Sequence, residues 1–412
     1  MPKKQESNLI VALDIGTSKV LAVVAEVLPD GIVEVIGIGK HNSTGLRKGV
    51  VVNIEATVKA VQKAVDEAEL MAGCHIHSVY TGISGAHIRS FNSHGIVAIK
   101  DRQVEKADVE RSVEAAKAVS IPADQKIIHI IPRNYVIDGQ SGIKDPIGMS
   151  GIRLETDIHV ITGSVSVAQN IINCIRRCDL EVDDIILQQL ASSAAVLTED
   201  EKHLGVCMID IGGGTTDVAV YFDNALQHTA VLPIGGNQVT HDLAVALRTS
   251  TEHAESIKIK HAYAMADMGL EEMVDIPNMG ENRLQSISSN EIAKVVEPRI
   301  EELFILVRDE LRKIGLEGSF GTGVALVGGT AKMKGIVELA ESIFQTPVRV
   351  ALPMGVVGLT DVIEDPRFAT GVGLLKYCVA NKRGSQRNTS FSERANVQSV
   401  WHKIKCWLQG NM

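Results

Sequence analysis

The sequence predicts an α/β protein built from two copies of one core subdomain around a shared cleft, with an α+β insertion in the first copy. Three observations lead to this prediction. A strand, glycine turn and second strand occur twice, 196 positions apart, at Asp14 and at Asp210. A later buried strand runs into a glycine pair, Gly328-Gly329. Between the two copies, residues 84–163 break the pattern with a helix set among strands.

The composition is that of a soluble globular protein and excludes several classes of function. The 412 residues are 45% hydrophobic and 22% charged, which suffices for several buried cores. A net charge of -9 and an aromatic content of 3% argue against nucleic-acid binding, which needs a basic field or stacking rings. No apolar run reaches the roughly 18 residues of a transmembrane helix. The six cysteines lack C-x-x-C spacing and no signal peptide is predicted, so we expect thiols in a reducing compartment.

The first copy opens as a β-meander. Residues 9–14 and 19–27 are β-rich and flank the turn Gly16-Thr17-Ser18, and a third strand follows. An amphipathic helix should come next. Asn53 is a suitable N-cap for it, and apolar residues recur every three or four positions up to Gly73.

The insertion at 84–163 has the pattern of an α+β module of its own. A helix is predicted at 104–118, and strands are predicted at 95–100, 126–137 and 156–162. The module contributes no glycine turn to the repeated motif. We therefore expect it to mediate self-association and contacts to other proteins.

The second copy leads into a stretch at 240–315 that is predicted to be mostly helical. Ser288 and Glu291 form a capping box for a long helix there. We expect Pro298 to interrupt that helix, because proline removes a backbone donor.

The two glycine turns have the features of phosphate-binding loops. A phosphate chain requires backbone N–H groups that point into a concave turn, no Cβ in the way, and hydroxyls that complete the hydrogen bonds. Asp14 and Asp210 end the preceding strands and can hold a magnesium ion that bridges the phosphates, usually through water. Each motif alone could be an ordinary Asp-x-Gly turn, but the duplication favours a nucleotide site. The candidate loop residues are Gly16, Thr17, Ser18, Gly212, Gly213, Gly214, Thr215 and Thr216.

The order of these elements resembles the actin, hexokinase and heat-shock-chaperone ATPase superfamily. In that superfamily, two duplicated ribonuclease-H-like domains clamp ATP between them. Within it, the whole chain is similar to the FtsA family of bacterial cell-division proteins. The similarity includes the insertion, the run from Ile234 to Thr240, Glu297-Pro298-Arg299 and the tail. It implies an actin-like fold and an ATP-binding protein of cell division.

The resemblance also implies roles for individual residues. Asp14 and Asp210 would be the magnesium-site carboxylates, and Lys19 would belong to the first phosphate loop. Glu255 and Lys258 would reach the ribose and the base, and the alternative for this pair is a solvated i,i+3 ion pair on a helix. The remaining implied contacts are Gly235 and Gly236 beneath the nucleotide and Gly328 and Gly329 at the adenine side.

The residue that would position the attacking water in this superfamily is Gln188. The corresponding helix usually starts Glu-Pro, and here Gln188 and Gln189 stand at these positions. An amide can orient a water molecule but cannot take its proton. We therefore expect a nucleotide-bound switch or, at most, a slow ATPase.

The C-terminal residues predict a membrane anchor. Residues 381–395 are polar and are predicted to be a flexible linker, and 396–412 form an amphipathic tail with both tryptophans of the chain. A helix in the bilayer interface accounts for tryptophans on one face and lysines off it, and the alternative is a helix packed on the globular body. The apolar face comprises Val397, Val400, Trp401, Ile404, Trp407 and Leu408.

The resemblance implies an adaptor that self-associates into filaments and tethers FtsZ to the cytoplasmic face of the bacterial inner membrane. It would act at the division site, contact anionic lipid and recruit later division proteins. The FtsZ C-terminal peptide would bind the helical stretch, with Arg283 and Arg299 as candidates for its acidic groups. The rival is a metabolic kinase of the same superfamily, which needs a catalytic carboxylate beside an acceptor pocket. A chaperone-type ATPase needs a C-terminal substrate domain, and only about 30 residues follow position 380.

One cysteine–histidine pattern suggests a metal ligand set. In Cys74-His75-x-His77, however, the expected strand turns Cys74 away from both histidines.

The predicted domain boundaries divide the chain into two core subdomains and four further segments. They are 1–83 with 164–197 for the first core subdomain, 84–163 for the insertion, 198–240 with 316–380 for the second core subdomain, 241–315 for a helical subdomain, 381–395 for the linker and 396–412 for the tail.

Overall fold

The computed structural model describes residues 8–269, 272–277, 284–318 and 320–389, of which 382–389 are described by their backbone alone. The predicted tail lies outside the described residues, and so does Arg283.

The first core subdomain is a β-meander backed by a capped helix. Its elements in chain order are β1 (Leu9–Ile15), β2 (Lys19–Val27), β3 (Val33–Asn42), β4 (Leu46–Arg47), β5 (Val50–Val51), α1 (Ile54–Ala72) and β6 (Ser78–Ile83). The Asn53 side chain accepts a hydrogen bond from the Ala56 amide, and α1 ends at Gly73, whose φ is 64°. Both predicted caps of this helix are confirmed.

Residues 74–77 are a loop rather than the strand that the sequence suggested. Strand β6 begins only at Ser78, and the Nδ1 atom of His75 lies 2.6 Å from Glu69 Oε1 on α1. That carboxylate also accepts the Ile76 amide, so it holds the loop in place of strand pairing.

The insertion is an antiparallel sheet with one helix packed across it. Its elements are β7 (Arg89–Ala98), α2 (Lys106–Lys117), β8 (Gln125–Ile137), β9 (Gln140–Ile143) and β10 (Arg153–Ser164). The strand order is β7-β10-β8-β9, and α2 contacts β7 and β10. Leu154 and Ile158 are fully buried between sheet and helix. The predicted α+β module is confirmed, with β9 as a strand that the sequence did not indicate.

The chain then returns to the first core and crosses to the second. The elements are α3 (Val165–Arg176), β11 (Glu181–Leu187), α4 (Gln188–Val196), α5 (Glu199–Leu204), β12 (Val206–Ile211), β13 (Thr216–Phe222) and β14 (Ala225–Leu232). Strand β11 pairs in parallel with β6 and leads directly into α4 at Gln188.

The helical subdomain contains a β-hairpin that the sequence did not reveal. Its elements are α6 (Gly236–Ala246), α7 (Thr251–His261), β15 (Met273–Pro277), β16 (Leu284–Ser288) and α8 (Ser289–Lys313). The capping box of Ser288 and Glu291 is confirmed. The expected interruption at Pro298 is wrong, because α8 is continuous through it. An interior proline costs about 3 kcal/mol. Each large side chain that α8 buries returns about 1.5–3 kcal/mol, and these are Ile292, Val296, Ile300, Leu303, Phe304, Val307 and Leu311.

The last elements complete both sheets. They are β17 (Val324–Val327), α9 (Ile336–Phe344), β18 (Val348–Val350), β19 (Val357–Gly358), α10 (Thr360–Ile363) and α11 (Ala369–Thr389). Helix α11 continues to Thr389, so the first part of the predicted linker, 381–395, is helical. In the described residues, no helix is long and apolar enough to cross a membrane.

The two sheets prove the duplication. The first has the order β11-β6-β1-β2-β3-β19 and the second has the order β14-β13-β12-β17-β18. In both, a strand with aspartate as its penultimate residue is antiparallel to the next strand and parallel to a later one. Asp14 and Asp210 therefore occupy equivalent positions, and the predicted actin-like arrangement of two related core subdomains is confirmed.

Candidate functional site

The two glycine turns face each other across one cleft. This cavity has a volume of about 960 Å³ and is lined by both turns, both strand-end aspartates and parts of α6 and α7. Each turn is closed by the same hydrogen bond, from Gly16 N to Lys19 O and from Gly212 N to Thr215 O, both 2.9 Å long. The predicted turns are thus brought together, and their backbone amides border a common space.

The glycines of the second turn pack closely against side chains of the first. A Cβ atom on Gly213 would lie 1.9 Å from Ser18 Oγ, and one on Gly214 would lie 2.6 Å from Thr17 Oγ1. Ser18 Oγ also lies 3.4 Å from Asn237 Oδ1 at the start of α6. The two core subdomains therefore touch through their turns, and a ligand held by one turn lies within reach of the other.

Asp14 and Asp210 are buried at the floor of the cleft. Burial raises the pKa of Asp14 to about 6, with Lys19 lowering it and Asp210 raising it. Burial also raises the pKa of Asp210, against hydrogen bonds that Ser192 and Thr370 donate to its Oδ2 over 2.8 and 3.3 Å. Ionised carboxylates at this depth are stabilised by a cation.

Asp217 is a third cleft carboxylate, which sequence reasoning missed. It pairs with Asp210 in the register of β12 and β13, whereas Asp14 stands opposite Leu21 in the first copy. Burial and the charge of Asp210 raise the pKa of Asp217 to about 7. An alignment of the two copies carries the signal, because a carboxylate in the second copy replaces a fully buried leucine in the first.

Ser84 links Asp217 to the start of the insertion. Its hydroxyl donates a hydrogen bond to Asp217 Oδ1, and Thr215 Oγ1 donates to the other carboxylate oxygen over 3.0 Å. Ser84 directly follows β6 and precedes β7. The connection between the first core subdomain and the insertion is therefore hydrogen-bonded to the second core subdomain across the cleft.

The donor set fits a magnesium ion that is bound together with phosphate. Carboxylate oxygens at strand ends are ligands that Mg²⁺ prefers, and Mg²⁺ usually takes its other ligands from water and phosphates. Within the ranges that the structure describes, no group of three or more histidine, cysteine or acidic side chains could hold a metal ion by itself. An ion at Asp14 and Asp210 would complete its coordination with phosphate oxygens and water.

Gln188 lies at the cleft beside Asp14. Its Nε2 donates to Asp14 Oδ1 over 3.0 Å, and its Cγ lies over Gly82, where a Cβ would be only 2.9 Å away. Gln189, at the position where the superfamily has proline, is buried and donates to Ala230 O over 3.1 Å. Only Gln188 of the two is presented to the cavity.

Glu255 and Lys258 form the i,i+3 ion pair on α7, and both side chains also line the cleft. Lys258 Nζ lies 2.7 Å from Glu255 Oε2, and the lysine side chain is only 11% exposed. Lys258 also donates to Thr240 Oγ1 over 2.9 Å and to Gly236 O over 3.1 Å. This network ties α7 to the start of α6 at one end of the cavity.

The other predicted glycines of the second copy lie either behind its glycine turn or in the lining of the cavity. Gly236 N donates to Gly212 O over 2.9 Å, and Thr216 Oγ1 donates to Ile234 O, so these residues lie behind the turn. Gly235 has no room for a Cβ, which would lie 2.7 Å from Gly212 O. Gly328 and Gly329 line the cavity itself, and Gly328 has a φ of 88°.

A group of cations at the cleft was also missed. Lys40, Lys332 and Arg367 all line the cavity. Burial and the charge of Arg367 lower the pKa of Lys40. Asp365 partly neutralises the group, because it accepts from Lys332 over 2.5 Å and from Arg367 over 2.9 Å. The residual positive charge suits a polyanionic ligand.

Arg299 is already paired within the helical subdomain. Its Nε donates to Asp242 Oδ2 over 2.6 Å, and it also donates to Glu302. These contacts raise the pKa of Arg299 and join α8 to α6. An acidic peptide would have to compete with Asp242 for this guanidinium.

Comparison with known proteins covers the whole chain. The family described as "Cell division protein FtsA" matches residues 207–373, and "SHS2 domain inserted in FTSA" matches residues 85–162. A cell division protein FtsA of Pseudomonas aeruginosa is 55% identical over all of both chains. FtsA of Neisseria meningitidis serogroup B is 47% identical over 99% of this chain and 100% of its own length. FtsA of Escherichia coli K12 is 43% identical over 99% of each.

Solved structures with the same fold are distant in sequence. The PilM-PilN type IV pilus biogenesis complex aligns with a TM-score of 0.66 at 16% identity, covering 90% of this chain and 98% of that chain. MreB5 of Spiroplasma citri bound to ADP aligns with a TM-score of 0.57 at 15% identity, covering 94% and 100%. MreB5 bound to AMPPNP aligns with a TM-score of 0.58 at 15% identity, covering 93% and 100%.

Proposed function

Since this chain belongs to the FtsA family of cell division proteins, we propose that it is an actin-like adaptor that binds ATP in its central cleft and holds FtsZ at the membrane. In this role it assembles into filaments and recruits later division proteins at the cytoplasmic face of the inner membrane. The observation that carries the proposal is the duplicated cleft, with Asp14 and Asp210 at equivalent strand ends and glycine turns in contact between them.

ATP suits this cleft by charge and shape. The amides of the two turns face the phosphates, and Lys19, Lys40 and Arg367 offset their charge. Lys258 and Glu255 lie at the far end, where a ribose and base would be recognised. The solved MreB5 structures with ADP and AMPPNP share the fold, and their bound nucleotides favour ATP as a ligand of this protein.

A bound magnesium ion would neutralise Asp14 and Asp210 and polarise the terminal phosphates. Gln188 holds its amide against Asp14 and can orient a water molecule beside the phosphate chain. The amide cannot act as a base, so the nucleotide persists and joins the two core subdomains. ATP therefore acts as a switch that stabilises one closed arrangement of the two subdomains, with at most slow hydrolysis.

The membrane role depends on the tail at 396–412. Its apolar side chains would be buried in the bilayer interface, each fully buried large side chain contributing about 1.5–3 kcal/mol. Lys403 and Lys405 add about 1 kcal/mol each on anionic lipid. An isolated helix of this length is marginal in water, so the tail would become helical only on the membrane.

A tethering assay tests the proposal. FtsZ should sediment with anionic vesicles when the full-length protein and ATP are present. Trp401→Glu should abolish sedimentation of both proteins, because it places a charge in the apolar face, while ATP binding stays unchanged. His402→Glu, which adds the same charge off that face, is the matched control and should retain most sedimentation. Equal sedimentation of the Trp401→Glu and wild-type proteins would favour a tail packed on the globular body.

The rival function, a metabolic kinase, finds less support. A kinase needs a carboxylate beside an acceptor pocket to take the hydroxyl proton. The position next to Asp14 is held by the amide of Gln188, and the buried Asp217 is engaged by Ser84 and Thr215.

A further inference from the structure

Strand β11 ends at an unusual hydrogen bond. It is the edge strand of the first sheet, and its last residue, Leu187, precedes Gln188. The Leu187 amide donates to Nε2 of His129, at 3.0 Å, and His129 lies on β8 of the insertion. A side chain of the insertion thus satisfies the backbone of the strand end that carries Gln188.

An irregularity in the sheet of the insertion lies next to His129. A register shift in the pairing of β8 with β10 falls beside His129: Ile161 stands opposite His129, and Thr162 stands opposite Ile127. Such an irregularity bends a strand and re-aims a side chain. The imidazole is partly buried, and its desolvation lowers its pKa to about 4. The ring is therefore neutral, with Nε2 free to accept and the proton on Nδ1.

The His129 ring also contacts helix α11. The His129 ring packs edge-on against Tyr377 of α11, with centroids 6.1 Å apart. Gln188 in turn has little freedom, because its amide is bonded to Asp14 and its Cγ rests on Gly82. A shift of the Leu187 backbone therefore displaces the Gln188 amide directly.

We propose that His129 is a positioning residue through which the insertion controls Gln188, so that a protein bound to the insertion alters the response of the cleft to the terminal phosphate of ATP. The proposal rests on the proposed binding of ATP in the cleft. By linkage, ATP then alters affinity for that protein by the same factor.

A calorimetric comparison of Mg²⁺-ATP and Mg²⁺-ADP tests this with the full-length chain. His129→Phe keeps a ring against Tyr377 but removes the acceptor, and His129→Gln keeps an acceptor at the ε position. We expect His129→Phe to lower the preference for ATP over ADP by about three- to tenfold, as one lost hydrogen bond predicts, with ADP affinity unchanged. His129→Gln should restore the preference. His94→Gln, at an exposed histidine of β7, is the control and should have no effect.

Combination with Gln188→Ala separates positioning from general stability. Gln188→Ala alone should lower the ATP preference as His129→Phe does, and the double variant should lose no more than either single variant. Additive losses, an equal loss of ATP and ADP affinity, or a His129→Phe protein with the wild-type preference would each overturn the proposal. So would a wild-type protein that binds both nucleotides equally. A wild-type protein that binds neither nucleotide would instead refute the proposed ATP site itself.

A spectroscopic measurement avoids dependence on folding of the phenylalanine variant. In protein labelled with ¹⁵N-histidine, the His129 Nε2 resonance can be assigned by its absence from the spectrum of His129→Gln. This resonance should shift more on addition of Mg²⁺-ATP than on addition of Mg²⁺-ADP. An identical position with both nucleotides would overturn the coupling.

Discussion

Replacement of Asp217 by asparagine should stabilise the metal-free protein, and more so at alkaline than at acidic pH. Burial and Asp210 raise the pKa of Asp217 from 3.8 to about 7. Between these values the folded state binds more protons than the unfolded state, so the stability contributed by Asp217 falls as the pH rises towards 7. Asparagine removes this loss. It also fits the site, since its oxygen still accepts from Ser84 and Thr215 can accept from its amide.

The magnitude follows from the two pH values compared. At pH 5 the pH is about two units below the folded-state pKa of Asp217, and at pH 8 it is about one unit above, where the carboxylate is mostly ionised. At about 1.4 kcal/mol per unit, the stabilisation by Asp217→Asn should be about 2–3 kcal/mol larger at pH 8 than at pH 5. The neighbouring carboxylates Asp14 and Asp210 remain in both proteins, so their own desolvation cancels in the comparison, and their repulsion of Asp217 is already included in its raised pKa.

Chemical denaturation of the metal-free proteins at pH 5 and pH 8 measures this difference. Asp361→Asn, at an exposed aspartate of α10, is the control, because it makes the same replacement without removing a buried charge. A stabilisation by Asp217→Asn that is equal at both pH values would show that the folded protein does not raise the pKa of Asp217. So would a variant that is less stable than wild type at pH 8, since the carboxylate would then be stabilised in the folded protein.

Two further predictions concern hydrolysis and peptide binding. Gln188→Glu should raise ATP hydrolysis in the presence of magnesium, by up to about a hundredfold, because it supplies a base beside the water; an unchanged single-turnover rate would contradict this. Arg299→Ala should weaken binding of the FtsZ C-terminal peptide by about tenfold, measured by fluorescence anisotropy, with ATP binding intact. Asp242→Ala breaks the same internal ion pair but leaves the guanidinium in place, paired only with Glu302, so it should preserve or strengthen peptide binding. Equal losses in both variants would mean that the pair serves only to join α6 and α8.

The sequence predicted those parts of the fold that depend on neighbours along the chain. The caps of α1 at Asn53 and Gly73, the capping box at Ser288 and the repeated strand–turn motif are all local patterns, and all three are present. The continuity of helix α8 through Pro298 was not predicted, because the burial of its apolar face outweighs the local penalty of the proline. The hairpin of β15 and β16 was not predicted, because residues 278–283 between the strands lack the sequence signal of a two-residue turn.

The candidate site was predictable in outline but not in its cross-cleft contacts. The turns around Asp14 and Asp210 follow from one repeated pattern. Ser84, Asp217 and Lys40 are brought to the same cavity from distant parts of the chain, and no spacing in the sequence links them. Asp217 could have been found by asking where the two copies differ. Pairing of Arg299 with Asp242 depends on the packing of two helices that are distant in sequence.

Binding of ATP together with magnesium in the cleft between the duplicated halves can be measured by isothermal titration of ATP with magnesium and with EDTA, in the wild-type protein, Asp210→Ala and Asp210→Asn. The asparagine variant keeps acceptors for Ser192 and Thr370, so it separates loss of charge from loss of packing. We predict that magnesium strengthens ATP binding to the wild-type protein and has little effect on either variant, because Asp14 alone does not organise the bridging ion. Binding of Mg²⁺-ATP to both variants with wild-type affinity would contradict the account.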